Sequence, residues 1–392
     1  MKPGGAGAKP VRIALLEHCG TGNLGDDATV DAVQQHIERR WPDAAIIGLS
    51  LDPADSERRH GVPAYPIRQS VYPFKKVWTS EPDAAPGRFS ALKASLKERL
   101  SRHRLLLAAA KTLHQAAIVR PARFFGEIAF LAKSLQVASG LDLLIMCGGG
   151  QLLDAWGGPW AFPYTLFKWT ILARLSGARC LFLNVGAGPL RFPLSKWFIR
   201  RALALADHIS FRDAKSQTLI REIGFSGKTE VTADSVYGLE LPKVSAAAER
   251  AGGGLVVGVA PMAYRDPDRY WEKDRAGYER FIGALAAFCA RLIRDGHRLR
   301  LFSSDCWFDS RAIADLKRSV ENAIPADLAD RIACEPVRDV NDCLQQLGRV
   351  DCYVTCRFHG VVFAHIMNVP VLAIAHHPKV STVMADFGMS EY

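Results

Sequence analysis

The chain predicts two α/β units, each built on a parallel sheet, and three observations carry that prediction. Apolar, β-branched runs of strand length recur and end in glycine or polar residues: VRIALLEH (11–18), AAIIGLSL (44–51), LDLLIMCGGG (141–150), ARCLFLNVGAG (178–188) and HISFRD (208–213). Longer amphipathic stretches separate them, which is the rhythm of strand–helix–strand units. After the small-residue tract PKVSAAAERAGGG (242–254) a second series follows, with GLVVGVAP, HRLRLFSSD, RIACEP, VDCYVTCRFHG and VPVLAIAHHPK. The tract reads as a linker. The expected divisions are a loose leader at 1–10, a first α/β domain at 11–241, the linker at 242–254 and a second α/β domain at 255–392.

The first strand runs into GTGNLGDDA (20–28), whose glycines at 20, 22 and 25 have the G-x-G-x-x-G spacing of a phosphate loop. That fingerprint is weak alone, and Asp26 and Asp27 would repel a pyrophosphate at a helix start. Ala28, Val30, Val33, Ile37 and Trp41 keep helical spacing and Pro42 stops it, so a helix is expected from Asp27 to Arg40. Two readings of the loop stand: Asn23 and Asp26 accept hydroxyls of a polyol, or Asp26 caps its own helix.

The rhythm breaks between about 70 and 135, where a basic helical insertion in the first domain is expected. Residues 75–123 carry 11 Lys/Arg against 3 Asp/Glu. A solvated insertion and a helix lying on an anionic membrane surface both fit. Nucleic acid is disfavoured, because Phe89 is the only aromatic between Arg88 and Arg120 to offer a stacking platform.

Over the whole chain, 50 Lys+Arg against 40 Asp+Glu favour an anionic partner. Nine scattered cysteines with no CxxC pair exclude a disulfide scaffold or a zinc ribbon and point to a reducing cytoplasm. Cys334, Cys343, Cys352 and Cys356 have no compact zinc spacing, so no metal site is expected. No run approaches the roughly 18 apolar residues of a spanning helix, and MKPGGAGAKP lacks a signal peptide's apolar core.

Several strand ends carry residues suited to chemistry. In CRFHG (356–360), Arg357 and His359 leave a strand end and Gly360 opens a helix. Arginine offers a fork for carboxylate or phosphate, histidine a proton near neutral pH, and a helix start favours an anion. The equal alternative is that Arg357 pairs with a structural carboxylate while His359 caps the helix. In MCGGGQLLDAW (146–156), Gly149, Gly150 and Gln151 can bring backbone amides close to a ligand, although glycine runs also make ordinary turns. HISFRDAKS places Arg212 at a strand end, as an anion contact or a surface ion pair. TADSVYGL offers Asp234 as a hydroxyl acceptor, an arginine's orienter or a helix cap. Lys379 follows the last strand as a cation that can face an anion.

With GTGNLGDDA, the GGG run, FRDAKS, CRFHG and VPVLAIAHHPKV in this order, the sequence resembles the polysaccharide pyruvyl transferase family from about residue 11 to 388. The resemblance implies a fold like that of two-domain GT-B glycosyltransferases. It also implies transfer of the enolpyruvyl unit of phosphoenolpyruvate onto two hydroxyls of a sugar or lipid-linked glycan, forming a pyruvate ketal and releasing phosphate. Carried over, Arg357 and His359 are catalytic, and Arg357, Arg212, Lys379 and Gly360 hold phosphoenolpyruvate. Asn23, Asp26, Gly149, Gly150, Gln151 and Asp234 then face the acceptor. No cofactor or metal is needed, and the expected place is the cytoplasm, peripheral at the inner membrane face. Thr355 stands where relatives often have serine, and the chain ends at Tyr392 where relatives commonly continue into further helix. Two alternatives are a nucleotide-sugar glycosyltransferase, against which the second domain lacks an E-x7-E pair, and a membrane-surface or glycan-binding protein without catalysis.

Overall fold

The computed structural model describes residues 9–17, 20, 22–69, 120–243, 254–270 and 272–392. Nearly all of the expected leader and most of the basic insertion and linker lie outside the described residues.

Two fully parallel sheets form. The first has the order β3 (Ala64–Pro66), β2 (Ala45–Ser50), β1 (Arg12–Leu16), β4 (Leu143–Cys147), β5 (Arg179–Val185), β6 (His208–Phe211), β7 (Glu230–Val231). The second runs β10 (Ile332–Ala333), β9 (Arg298–Leu301), β8 (Val256–Ala260), β11 (Cys352–Thr355), β12 (Val371–Ala373). Strands β1, β4 and β8 are apolar on both faces because helices cover both sides of a parallel sheet. The edge strands β3 and β7 are absent from the sequence expectation, since three and two residues are too few to show alternation.

Helices α1 (Leu24–Arg40), α2 (Pro53–His60), α3 (Arg120–Ala138), α4 (Phe162–Leu175), α5 (Pro193–Ala204) and α6 (Ala214–Glu222) accompany the first sheet. With the second come α7 (Arg275–Arg294), α8 (Ser310–Glu321), α9 (Val340–Leu347), α10 (Phe358–Ile366) and α11 (Pro378–Asp386). Period-2 alternation in β1 sends Ile13 and Leu15 into one core with Val30, Val33 and Ile37 of α1. Ala14 and Leu16 enter the other core with Leu166 and Trp169 of α4.

Helix α1 starts three residues before the expected Asp27. Asn23 is its N-cap, accepting from the Gly25 amide at 3.1 Å, while its own amide donates to Asp26 at 2.9 Å. The cap therefore belongs to Asn23 and not to Asp26, and the two acidic residues fall in the first turn, where the helix dipole favours them. A second stripe of α1, Leu24, Ala28 and Ala32, packs into the core of the C-terminal half with Phe363 and Val361. One helix thus fills two cores, because it carries two apolar stripes at helical spacing.

Strand order reverses between β1 and β4 in the first sheet and between β8 and β11 in the second. Ligands of open α/β sheets sit outside the carboxyl ends at such points. Here the turn after β1 meets the turn after β9 and the start of α10. Leu24 N–H donates to Ser304 O at 2.9 Å and Cys306 N–H to Gly22 O at 3.0 Å.

Candidate active site

Two of the glycines of GTGNLGDDA, Gly22 and Gly25, serve this meeting. Gly22, at φ +80°, would place a Cβ 2.9 Å from Cβ of Trp307. At Gly25 a Cβ would lie 1.7 Å from Nδ1 of His359. Only a bare Cα lets α1 rest on that imidazole. Gly25→Ala is accordingly expected to cost about 1–3 kcal/mol of stability by overpacking and to lower turnover with it. Denaturant titration and turnover equal to the parent would show that the contact gives way freely.

His359 sits in the first turn of α10 at 7% exposure and does not cap it; Arg357 occupies the cap position, without a side-chain cap bond. Burial outweighs the opposing charges of Asp234 and Asp26 and, with a smaller push from Arg212 and Lys379, lowers the imidazole pKa to about 4. It is neutral at pH 7, and its Nε2 has no hydrogen-bond partner. The ring packs edge-on to Phe358 at 5.0 Å, and the Arg212 guanidinium lies 4.5 Å over the same Phe358 ring.

Arg212 leaves the end of β6 as expected. Its Nη1 meets Asp234 at 3.5 Å, while its buried Nε lies 3.8 Å from Asp213 and has no hydrogen-bond partner. Gly186 makes room for it, since a Cβ there would lie 2.9 Å from that Nε. Asp234 both orients the arginine and caps the turn Ser235–Gly238, accepting from Val236 N–H at 3.1 Å. Lys379, in the first turn of α11, is exposed by area. Protein atoms crowded around its ammonium, then Arg212 and Arg357, nevertheless lower its pKa to about 8.

A cavity of 470 Å³ opens between the halves, lined among others by Gly150, Gly186, Arg212, Asp234, Phe358 and Lys379. Lys215 spans its mouth to Thr382 at 2.6 Å. The size suits a small anionic ligand with part of a sugar.

Arg357 turns away from this cavity. It forms a two-pronged pair with Asp309, at 2.8 and 2.5 Å, and meets Asp305 at 3.3 Å. Burial opposes its charge, but Asp309 and then Asp305 hold it firmly protonated. The strand-end geometry expected for Arg357 and His359 fails because α10 begins between them, so the period-2 rule stops at Thr355. Burial also lifts the Asp305 carboxyl well above the usual range, with Asp309 adding and Arg357 opposing.

Three further expected positions are structural. Gly360 packs on the strand before it: a Cβ on it would lie 2.3 Å from Oγ1 of Thr355, so the glycine lets α10 close on β11. Gln151 is fully buried and donates to Cys147 O at 3.1 Å and Leu16 O at 3.4 Å, tying the GGG turn to the sheet. Gly149, at φ +65°, lies against Asp26, where a Cβ would be 3.4 Å from its carboxylate. The structure thus brings Arg212, Asp234, Lys379, His359, Asp26 and Gly150 together, and leaves Arg357, Gly360, Gln151, Gly149 and Asn23 as their supports.

The sequence reading missed Asp305 and Asp309, although SSDCWFDS follows a strand end and carries two carboxylates. It missed as well the network that seats α1 on α2. His60 bonds Asp31 at 2.8 Å, and Arg59 pairs with Asp27 at 3.0 Å while donating to Arg338 O at 3.2 Å across the two halves. Burial opposes protonation of His60, yet the bond to Asp31 and the charges of Glu17 and Asp27 raise its pKa. Among the described residues no group of side chains is arranged to hold a metal ion, and no helix is long and apolar enough to cross a membrane.

Comparison with known proteins agrees on architecture. A putative UDP-N-acetylglucosamine 2-epimerase from Listeria monocytogenes is 10% identical, with a TM-score of 0.51 over 95% of this chain and 81% of that one. UDP-GlcNAc 2-epimerase from Methanocaldococcus jannaschii is 9% identical, with a TM-score of 0.51 over 97% of this chain and 88% of its own. The UDP complex of MnaA from S. aureus is 13% identical, with a TM-score of 0.50 over 95% and 80%. At such identities the likeness concerns the fold alone, which is the GT-B architecture. No curated protein matches the chain. The model of the family described as polysaccharide pyruvyl transferase matches residues 23–378, from the cap of α1 to the start of α11, and the chain therefore belongs to the polysaccharide pyruvyl transferase family and is a transferase.

Proposed function

We propose that the enzyme moves the enolpyruvyl unit of phosphoenolpyruvate onto two hydroxyls of a glycan, with the donor held between Arg212 and Lys379. The observation that supports this most is a pair of buried nitrogens without hydrogen-bond partners, Arg212 Nε and His359 Nε2, beside a cavity that Arg212, Lys215 and Lys379 line. Buried polar atoms left unsatisfied by the protein point to a ligand that satisfies them. Phosphoenolpyruvate carries both a carboxylate and a phosphate, and so calls for two cations.

The chemistry follows from the charges. Before the donor binds, His359 is neutral because of its burial, to which the two cations add. A bound polyanion offsets those cations and draws a proton onto the imidazole. The imidazolium delivers that proton to the methylene carbon, leaving an oxocarbenium-like centre at the carbon bearing the phosphate. One sugar hydroxyl adds there and returns its proton to His359. Phosphate then leaves, and the second hydroxyl closes the ketal, its proton leaving with the phosphate. Asp26 and Asp234 supply acceptors for the sugar hydroxyls in this scheme, and neither a cofactor nor a metal takes part.

Phosphate release from phosphoenolpyruvate in the presence of candidate glycans tests the reading, with Arg212→Met expected to raise KM for phosphoenolpyruvate at least about tenfold, the loss of one charge-assisted bond. Release of a nucleoside diphosphate from a sugar donor, with no phosphate from phosphoenolpyruvate, would overturn it.

A further inference from the structure

From Ala155 to Ala206 the sequence contains no aspartate or glutamate but seven lysines and arginines. These residues build the turn Gly158–Trp160, α4, β5 and α5. Three of the cations are spent internally: Lys168 pairs with Glu127, and Arg174 and Arg179 with Asp207. Arg191, Lys196, Arg200 and Arg201 remain along α5 and its entry.

Large apolar side chains stand out from the same surface. Trp160 is 66% exposed, Phe192 48%, and Leu194 and Trp197 38% each. They are fixed in place and are not loose: Trp160 packs edge-on to Tyr164 and Phe198, and Trp197 to Phe167 and Phe198. The turn carrying Phe192 is pinned by the buried Asp154, which accepts from Arg191 N–H at 2.8 Å and Phe192 N–H at 2.9 Å. Exposed tryptophan and phenylalanine beside lysine and arginine, on a segment that itself carries no acid, suit the interface of an anionic bilayer, where indole rings settle at headgroup depth.

We propose that this face, Trp160 with Phe192, Leu194 and Trp197 ringed by the cations of α5, docks the enzyme on an anionic lipid bilayer. It adjoins the cleft: Gly186 and Gly188, which line the cavity with Arg212 and Lys379, lie a few residues before Phe192 in the same turn. Docking stands on this geometry alone; its purpose, bringing a lipid-linked acceptor to the cleft, rests on the transferase reading above.

Flotation of the full chain with vesicles of phosphatidylcholine alone, and with one quarter phosphatidylglycerol, tests it. The parent is expected to float with the anionic vesicles and to be released by salt. W160S/F192S and K196E/R201E are each expected to lose at least about tenfold in bound fraction, with the fold retained by circular dichroism and unchanged phosphate release on a water-soluble acceptor. Equal flotation of parent and variants, as when the basic segment before α3 carries the binding, overturns the proposal. A parent that fails to float but is dimeric by light scattering, with monomeric W160S/F192S, overturns it in favour of a second copy on this face. Flotation as expected with no phosphate release from phosphoenolpyruvate would sink the transferase chemistry and leave the docking intact.

Discussion

Replacing His359 by glutamine is expected to lower kcat by about 10²–10⁴, the range for losing a positioned acid–base group, while the fold is retained. Glutamine keeps a polar group beneath Gly25 without a titrating ring. The same variant separates a chemical role from a packing one through the acid limb of stability. His359 ordinarily titrates at 6.5 and in the folded chain at about 4, so between these values the unfolded chain binds a proton that the native chain refuses. Stability attributable to this histidine is therefore complete above pH 6.5 and is lost as pH falls toward 4, up to about 3 kcal/mol. His359→Gln should flatten that limb, leaving the portion due to His376, whose pKa burial also lowers to about 4, and to His365 and His377, which burial lowers as well. Denaturation midpoints at pH 7, 5.5 and 4.5 measure it. An unchanged limb would place the imidazole in water, and unchanged kcat would remove it from the chemistry.

The second large effect belongs to a residue that touches no proposed substrate. Asp309→Ala is expected to cost about 3–5 kcal/mol, because it strands the Arg357 guanidinium beside a single remaining carboxylate. Asp309 is fully buried, and it also accepts from Ala263 N–H at 3.0 Å and Ser303 Oγ–H at 2.6 Å. Most of its loss should return in the double variant Asp309→Ala/Arg357→Met, which removes the stranded charge together with its partner. A single variant within 1 kcal/mol of the parent, the scale of an exposed pair, would mean that water reaches Arg357 freely.

These residues show where a sequence stops informing. Strands such as β1 and β4 are legible because burial on both faces forces uninterrupted apolar runs, and Arg212 is legible because it ends one of them. Asp234 is legible as a partner too, since an aspartate opening a short turn in TADSVYGL is able to orient an arginine or cap the turn. Arg357 misleads: its fork is written in the chain, but the carboxylate that fills it lies 48 residues upstream, after β9, two strands away in the sheet. Gly25 misleads in the same way. Its spacing imitates a phosphate loop, and the reason for it, the ring of His359, comes from the other sheet. Local pattern reports what a residue type is able to do, and only the packed neighbour decides whether that capacity is already used.

The placement of α1 bears on how separable the halves are. By connectivity the helix belongs to the first sheet, yet Leu24, Ala28 and Ala32 complete the core of the second. A cut anywhere near residue 250 would follow the chain's own punctuation and still tear a core open, leaving one fragment with a bare apolar stripe and the other with a matching hollow. In this protein the boundary drawn by the backbone and the boundary drawn by the packing do not coincide. The two halves are not modules to be exchanged or expressed apart, and the cleft between them is as much a part of the fold as either sheet.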